Sequence, residues 1–227
     1  MIGVVIPAHD EERSIGTCLE SVLRAAGHRD LMGEQVEVWV VLDGCSDRTA
    51  SIASRHPVRT ATVDLRNVGA ARATGAELAL AGGARWLAFT DADSHVAPDW
   101  IVRQLELGVD VVCGTVAVDD WSDHRHRAGP LRDHFRATYQ DVDGHAHIHG
   151  ANLGVSAAAY RRAGGFMALA TSEDVALIRA LEKSGARIAW SAAPRVVTSA
   201  RRVARAPLGF AAALCAAAEA LLIASDA

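Results

Sequence analysis

The sequence predicts an α/β fold, a mostly parallel sheet with helices on both faces. Three observations predict it. Short apolar runs alternate with segments of helical period along the first half of the chain. Most of these runs end in a polar cluster rich in carboxylates or glycine. Hydrophobic residues make up 50% of the chain, enough for a core covered on both sides.

The run at 2–6, Ile2-Gly3-Val4-Val5-Ile6, reads as a buried strand. Residues 14–26 then place Ile15, Cys18, Leu19, Val22 and Leu23 on one helical face. A strand at 36–42, a short helix at about 47–55 and a strand at 58–63 follow. Residues 68–81 form an Ala-rich helix, and 86–89 a fourth strand. The helix predicted over 98–107 carries Pro98 near its first turn, where a missing N–H costs nothing. A long strand is predicted over 109–118. This alternation is that of a parallel sheet with helical crossovers. The rhythm then fails. Residues 119–143 are polar and rich in His and Arg, and are expected to form a loop or broken helix over the site. Regular structure resumes at 148–156 and 157–163, followed by a helix over 173–184 and strands near 187–190 and 195–198. No repeat or linker divides the chain, so 1–227 reads as one domain.

Composition narrows the function. The net charge of −4 provides no basic field for a polyanion and argues against nucleic acid as a partner. Cys18, Cys45, Cys113 and Cys215 are scattered, without a C-x-x-C pair, which argues against zinc or a disulfide framework. That usage fits a reducing compartment, and the cytoplasm is the expected location. The first residues read as a strand and lack the basic start of a signal peptide. The tract 207–224 is Ala-rich but carries Glu219, and a membrane span needs about 20 strongly apolar residues. No transmembrane segment is therefore expected. A packed helix or a homo-oligomer interface is the expectation for this tract, with peripheral contact at a membrane surface left open.

Chemistry concentrates in four clusters: Pro7-Ala8-His9-Asp10-Glu11-Glu12, Asp43-Gly44-Cys45-Ser46-Asp47, Asn67-Val68-Gly69-Ala70-Ala71-Arg72 and Asp91-Ala92-Asp93. Successive strand ends of a parallel sheet share one edge, so these clusters should converge on one crevice. Two carboxylates one residue apart suit Mg²⁺ or Mn²⁺, which usually arrive bridging substrate phosphates. Alone, such a pair can equally cap the next helix. Several carboxylates in one crevice need cations nearby, and a metal with Arg72 would supply them. The turn at Gly69 could present backbone N–H groups to a phosphate.

These stretches, taken with Gly150-Ala151-Asn152, Gly164-Gly165-Phe166 and Glu173-Asp174, resemble family 2 glycosyltransferases of the GT-A fold, over residues 2 to about 198. The resemblance implies a GT-A type, Rossmann-like sheet. It implies a nucleotide-sugar-binding half at 1–118, an acceptor and catalytic half at 119–200, and a helical extension at 201–227. The implied activity is metal-dependent, inverting transfer of one sugar from a nucleoside-diphosphate sugar to an acceptor hydroxyl, with Mn²⁺ or Mg²⁺ as cofactor. By the same resemblance, Asp43 accepts a hydrogen bond from the donor's base, while Pro7, Ala8 and Glu11 shape the nucleoside pocket. Arg72 helps hold the base or diphosphate; Asp93 ligates the metal, and Asp91 meets the ribose or the metal's water shell. Asn152 and Glu173 join the substrate-binding set, and Asp174 is the general base. Read without the resemblance, Asp174 is also an ordinary carboxylate at a helix N-terminus.

The chain departs from the family at His9-Asp10, where an aromatic-Asn pair is usual, and at Cys45, which replaces Gly or Ser. Both lie in turns facing the nucleotide, so the choice of base stays open. Cys45 is expected to be a small turn residue. No Q-x-x-R-W follows Asp174, which favours single-sugar transfer over processive synthesis. His145, His147 and His149 alternate; the first two are expected in a solvated loop, and His149, beside Gly150, at the pocket. A haloacid-dehalogenase-like phosphohydrolase could use the Asp pair as nucleophile and acid/base. It would also need a downstream lysine and acidic pair, and beyond Lys183, the only lysine, the carboxylates are Glu219 and Asp226. A non-catalytic nucleotide-sugar-binding relative is the remaining alternative, without a feature that favours it.

Overall fold

A computed structural model describes residues 1–202 and 209–225, with side chains described to residue 220. Residues 203–208, where the apolar tract begins, and 226–227, with Asp226, lie outside the described residues.

Seven strands form one sheet in the order β3-β2-β1-β4-β7-β6-β8. Strand β1 (Ile2–Ala8) lies in its interior, an almost unbroken apolar run buried on both faces, as a strand inside a parallel sheet must be. It pairs in parallel with β2 (Val36–Asp43) and with β4 (Trp86–Phe89), and β3 (Arg59–Val63) extends the parallel set beyond β2. Parallel neighbours need crossovers, supplied by α1 (Ile15–Ala26), α2 (Thr49–Ala53) and α3 (Val68–Ala81). On α1 the buried stripe is Ile15, Cys18, Leu19, Val22 and Ala25. Helix α3 lies close to the sheet because its inner face is small: a Cβ at Gly75 would sit 2.4 Å from Val5 Cγ1.

The sheet is mixed beyond β4. Strand β7 (Leu153–Ser156) runs antiparallel between β4 and β6 (Val111–Gly114), and β8 (Ile188–Ser191) is parallel to β6. The strand predicted over 109–118 is thus shorter than expected. After Gly114 the chain leaves the main sheet for a two-stranded ribbon of β5 (His95–Val96) and β9 (Val196–Val197), where Ala117 N–H donates to Val196 O at 2.8 Å. The strand expected from 148 likewise begins only at Leu153. Helix α4 (Trp100–Glu106) joins the Asp pair to β6.

The region 119–143 is a broken helix. A 3-10 stretch, Ser122–Arg127, is broken within itself at Arg125, which has φ 52°, and α5 (Ala128–Thr138) follows directly. Helices α6 (Ala157–Ala163) and α7 (Glu173–Lys183) cover the α3 face of the sheet. Helix α8 (Phe210–Ser225) packs Leu214 and Ala218 with Trp121 and Leu131 in a separate small core. Its observed contacts are therefore those of a packed helix. Among the described residues, no helix is long and apolar enough to cross a membrane.

Candidate functional site

The C-terminal ends of β1, β2 and β4 open on a cavity of about 680 Å³ that is also lined by the start of α7, residues 148–151, and residues 198–213 in part. Pro7, Ala8, Glu11, Asp43, Arg72, Asp91, Asp93, Glu173 and Asp174, nine of the ten expected site residues, line it together.

The first two clusters are tied together by backbone donors. Asp10, in a left-handed conformation, accepts from the N–H groups of Ser46 (2.7 Å) and Asp47 (3.1 Å), and these bonds, Ser46 first, hold its carboxyl below the usual range. Glu11 N–H donates to Thr49 Oγ1 at 2.7 Å, and Glu12 N–H to Asp47 Oδ2 at 2.9 Å. So Asp10 is a turn brace. Cys45 Sγ donates to Ala8 O at 3.2 Å, and burial pushes its thiol up, which leaves it a turn residue as expected. At the end of β2, buried Asp43 accepts from Leu65, Arg66 and Asn67 N–H at 2.6, 2.8 and 2.9 Å. An ionised carboxylate has about four acceptor positions, so Asp43 retains capacity for one more donor.

Four of the remaining cavity carboxylates are matched by two arginines. Arg72, only 3% exposed, is clamped between Asp91 and Glu173. Its guanidinium thereby joins the Asp pair to the start of α7 while lining the cavity, and its Nε has no hydrogen-bond partner among the described residues. Arg201 bridges Glu11 (2.8 Å) and Asp93. Burial pushes the Asp93 carboxyl up to about 6 against the pull of Arg201, and Asp91 and Glu11 push the same way. Sequence reading did not single out Arg201. It stands 190 positions from Glu11, and the only trace is a pair of arginines after the last strand.

Asp174 sits in the first turn of α7. Its Oδ2 accepts from Gly150 N–H at 2.9 Å and its Oδ1 from Val175 N–H at 2.8 Å. Gly150 also leaves room for Arg72: a Cβ there would lie 2.5 Å from the Arg72 guanidinium carbon.

Three further expectations are corrected. Asn152, expected to bind substrate, is fully buried behind the cavity. Its amide donates to Thr115 O (2.7 Å) and Pro194 O (2.9 Å) and accepts from Trp100 Nε1 (2.9 Å), so it joins the main sheet to the chain before β9. Gly69 N–H donates to Leu169 O at 3.2 Å, so the start of α3 faces the 167–169 loop rather than a phosphate. His145 is buried and His147 partly so, because they stack in a ladder rather than lying in solvent. The Tyr139 and His147 rings are 4.1 Å apart and nearly parallel, and His145 follows at 5.5 Å. His149 reaches the cavity as expected, shares a 2.9 Å hydrogen bond with Tyr139 Oη, and is pushed down to about 4, by burial first and by the other two imidazoles.

The donor set suits a hard divalent cation. Asp91 and Asp93 offer carboxylate oxygens, and Asp93 together with Glu11 already draws a guanidinium cation, the electrostatic demand that an ion would satisfy. Among the described residues no three ligating side chains are grouped, so phosphate oxygens and water would have to complete the shell. Lys183, which a phosphohydrolase would need beside the pair, closes α7 about 14 Å from Asp174 by helix rise.

The family model described as Glycosyl transferase family 2 matches residues 3–164. No curated protein matches the sequence. Among solved structures, S. aureus TarS is similar at a TM-score of 0.66 and 15% identity, over 87% of this chain and 36% of that one. Its 1–349 form in complex with UDP-GlcNAc gives 0.64 and 15%, over 92% and 61%. The mannosyltransferase PcManGT from Pyrobaculum calidifontis, in complex with GDP-Man and Mn²⁺, gives 0.61 and 20%, over 98% and 75%. The chain thus spans about a third of TarS and three fifths of its 1–349 form. These likenesses show the fold, which is of GT-A type.

Proposed function

The chain belongs to glycosyl transferase family 2, and from that premise we propose that it moves one sugar from a nucleoside-diphosphate sugar to an acceptor hydroxyl, inverting the anomeric configuration. The observation that carries this reading is the single cavity to which the ends of β1, β2 and β4 and the start of α7 bring Glu11, Asp43, the Asp pair and Asp174. In this reading Pro7, Ala8 and Asp43 take the nucleoside, with Asp43 using its spare acceptor position for the base. Asp93, with Asp91, would hold Mn²⁺ or Mg²⁺ together with diphosphate oxygens, and the ion when bound would neutralise charge growing on the leaving diphosphate.

Asp174 takes the proton from the attacking hydroxyl. Its two hydrogen bonds, to Gly150 and Val175 N–H, fix the carboxylate and leave a lone pair on each oxygen for that proton. Arg72 and Glu173 position it by tying the start of α7 to Asp91. Attack from the face opposite the diphosphate inverts the sugar. His149 is neutral at physiological pH and lines the wall beside Asp174, where the acceptor would enter. The four thiols are free, which fits the cytoplasm as location.

Solved neighbours carry UDP-GlcNAc in one case and GDP-Man in another, so the base is the first thing to measure. A thermal-shift panel of UDP, GDP, CDP, ADP and dTDP, with and without Mn²⁺, should show stabilisation by one base family that depends on metal. A ligand at 100 times its Kd adds about 2.7 kcal/mol. Asp174→Asn should keep that shift and lower nucleoside diphosphate release from the sugar donor, over a panel of hydroxyl acceptors, by about 10²–10⁴-fold. Near-normal release would overturn the role of Asp174, and no shift by any nucleotide would overturn the donor site.

A further inference from the structure

We propose that Arg201 is a turning guanidinium: it neutralises Asp93 in the free protein and, when a divalent ion takes that carboxylate, swings one arm of its fork onto the donor's diphosphate while the other stays on Glu11. The inference rests on the donor-site reading above and adds to it a residue and a coupling between ion and diphosphate.

Four observations carry it. Arg201 holds two carboxylates with separate nitrogens, Nη1 on Glu11 and Nη2 on Asp93. One contact can therefore break while the other persists as a pivot. Glu11 is the better anchor, because Ser14 Oγ donates to its other oxygen at 2.8 Å and its backbone N–H is bonded to Thr49. The arginine projects from the irregular segment after β9, and its side chain is 24% exposed in the cavity wall. Arg72 by comparison is 4% exposed. Finally, the charge balance favours a cation that can change partners. A diphosphate brings negative charge beside Glu11, Asp91, Asp93, Glu173 and Asp174. Of the arginines lining the cavity among the described residues, Arg72 is clamped and Arg66 lies at the Asp43 end, its backbone bonded to that carboxylate. Arg201 sits on the carboxylate that the ion would take.

A guanidinium fork matches phosphate oxygens in two-point contact, so the turned arm gains a charge-assisted bond for the one it gives up. Arg201 and the ion compete for Asp93, and the diphosphate resolves the competition by offering Arg201 a second partner. Bare metal should bind weakly, and metal and diphosphate should bind together.

The test measures free Mn²⁺ by its electron paramagnetic resonance signal, first with Mn²⁺ alone and then with UDP and with GDP, on wild type, Arg201→Gln and Arg201→Lys. Arg201→Gln should bind Mn²⁺ alone about tenfold more tightly and the Mn²⁺–nucleotide pair about tenfold more weakly. A residue that merely supports the fold would not move the two affinities in opposite directions. Arg201→Lys keeps the charge but not the fork, so it should leave bare Mn²⁺ affinity near wild type and weaken the nucleotide several-fold. If Arg201→Gln does not fold, the lysine variant decides alone, and unchanged nucleotide affinity in it overturns the inference. Changes of the same sign, or none, in the glutamine variant do likewise. Wild-type protein that binds neither nucleotide overturns the donor-site reading and this inference together, whereas wild-type binding with unmoved variants overturns this inference alone.

Discussion

Arg72 and Arg201 bring the same guanidinium to neighbouring carboxylates from unlike surroundings. Arg72 rises from the second turn of α3, a regular helix pressed on the sheet, and is held between Asp91 and Glu173. Arg201 comes from an irregular segment, reaches the pocket from its open wall, and remains a quarter exposed. On the first side the guanidinium is held at both ends by carboxylates, although its Nε has no hydrogen-bond partner among the described residues; the second side is held by side-chain contacts that a ligand can replace. The difference teaches that one charge can be structural and another available, although the sequence writes both as arginine.

The largest effect expected is on stability. Arg72→Met removes one partner of a buried cluster and leaves Asp91 and Glu173 uncompensated, so it should cost about 3–5 kcal/mol in urea unfolding. Arg201→Met leaves Glu11 and Asp93, each about nine-tenths buried, without that cation but at an open wall that water can reach, so it should cost less, about 2–3 kcal/mol. Equal losses would erase the contrast between the two sides. Asn152→Ala sharpens it from the closed side. It strands Trp100 Nε1, itself in a fully buried residue, and should cost about 1–3 kcal/mol with little change in nucleotide affinity, because Asn152 lies outside the cavity.

The most gradual effect, spread over a range of pH, concerns the open wall. His149 is pushed down to about 4 in the folded protein, by burial and by His147 and His145, against 6.5 for an ordinary histidine. Between those values the unfolded chain binds the proton and the folded one does not. Stability from this group is complete above about pH 6.5 and is lost as pH falls towards 4, by at most about 1.4 kcal/mol per unit. His149→Gln should flatten melting temperature against pH in that window. An unchanged slope would mean that the ladder opens to solvent on acidification and that the open wall is looser still.

Much of this molecule was legible in the sequence because the relevant physics is local. Helix α3 spans the 68–81 expected and β4 the 86–89 expected, since Asn67 caps the one and an unbroken apolar run marks the other. The turns after β1 and β2 were legible as polar clusters. Illegible features depend on partners far along the chain. Ala117 leaves its predicted strand because β9, nearly eighty positions later, offers it a carbonyl. His145 is buried because His147 and the distant Trp190 supply rings to pack on, which alternation of histidines alone does not reveal.

The same division runs through the site. The sequence by itself determined which carboxylates stand at the strand ends, since a parallel sheet gathers those ends on one edge whatever the details of packing. Only the tertiary structure decided how each is neutralised: Asp43 by backbone N–H groups, Asp91 by a buried arginine, Asp93 by an arginine from the far end of the chain. The physical reason is range. Periodicity and turn chemistry act over a few residues, whereas the pairing of a buried charge is set by whichever partner the finished fold brings within a few ångströms.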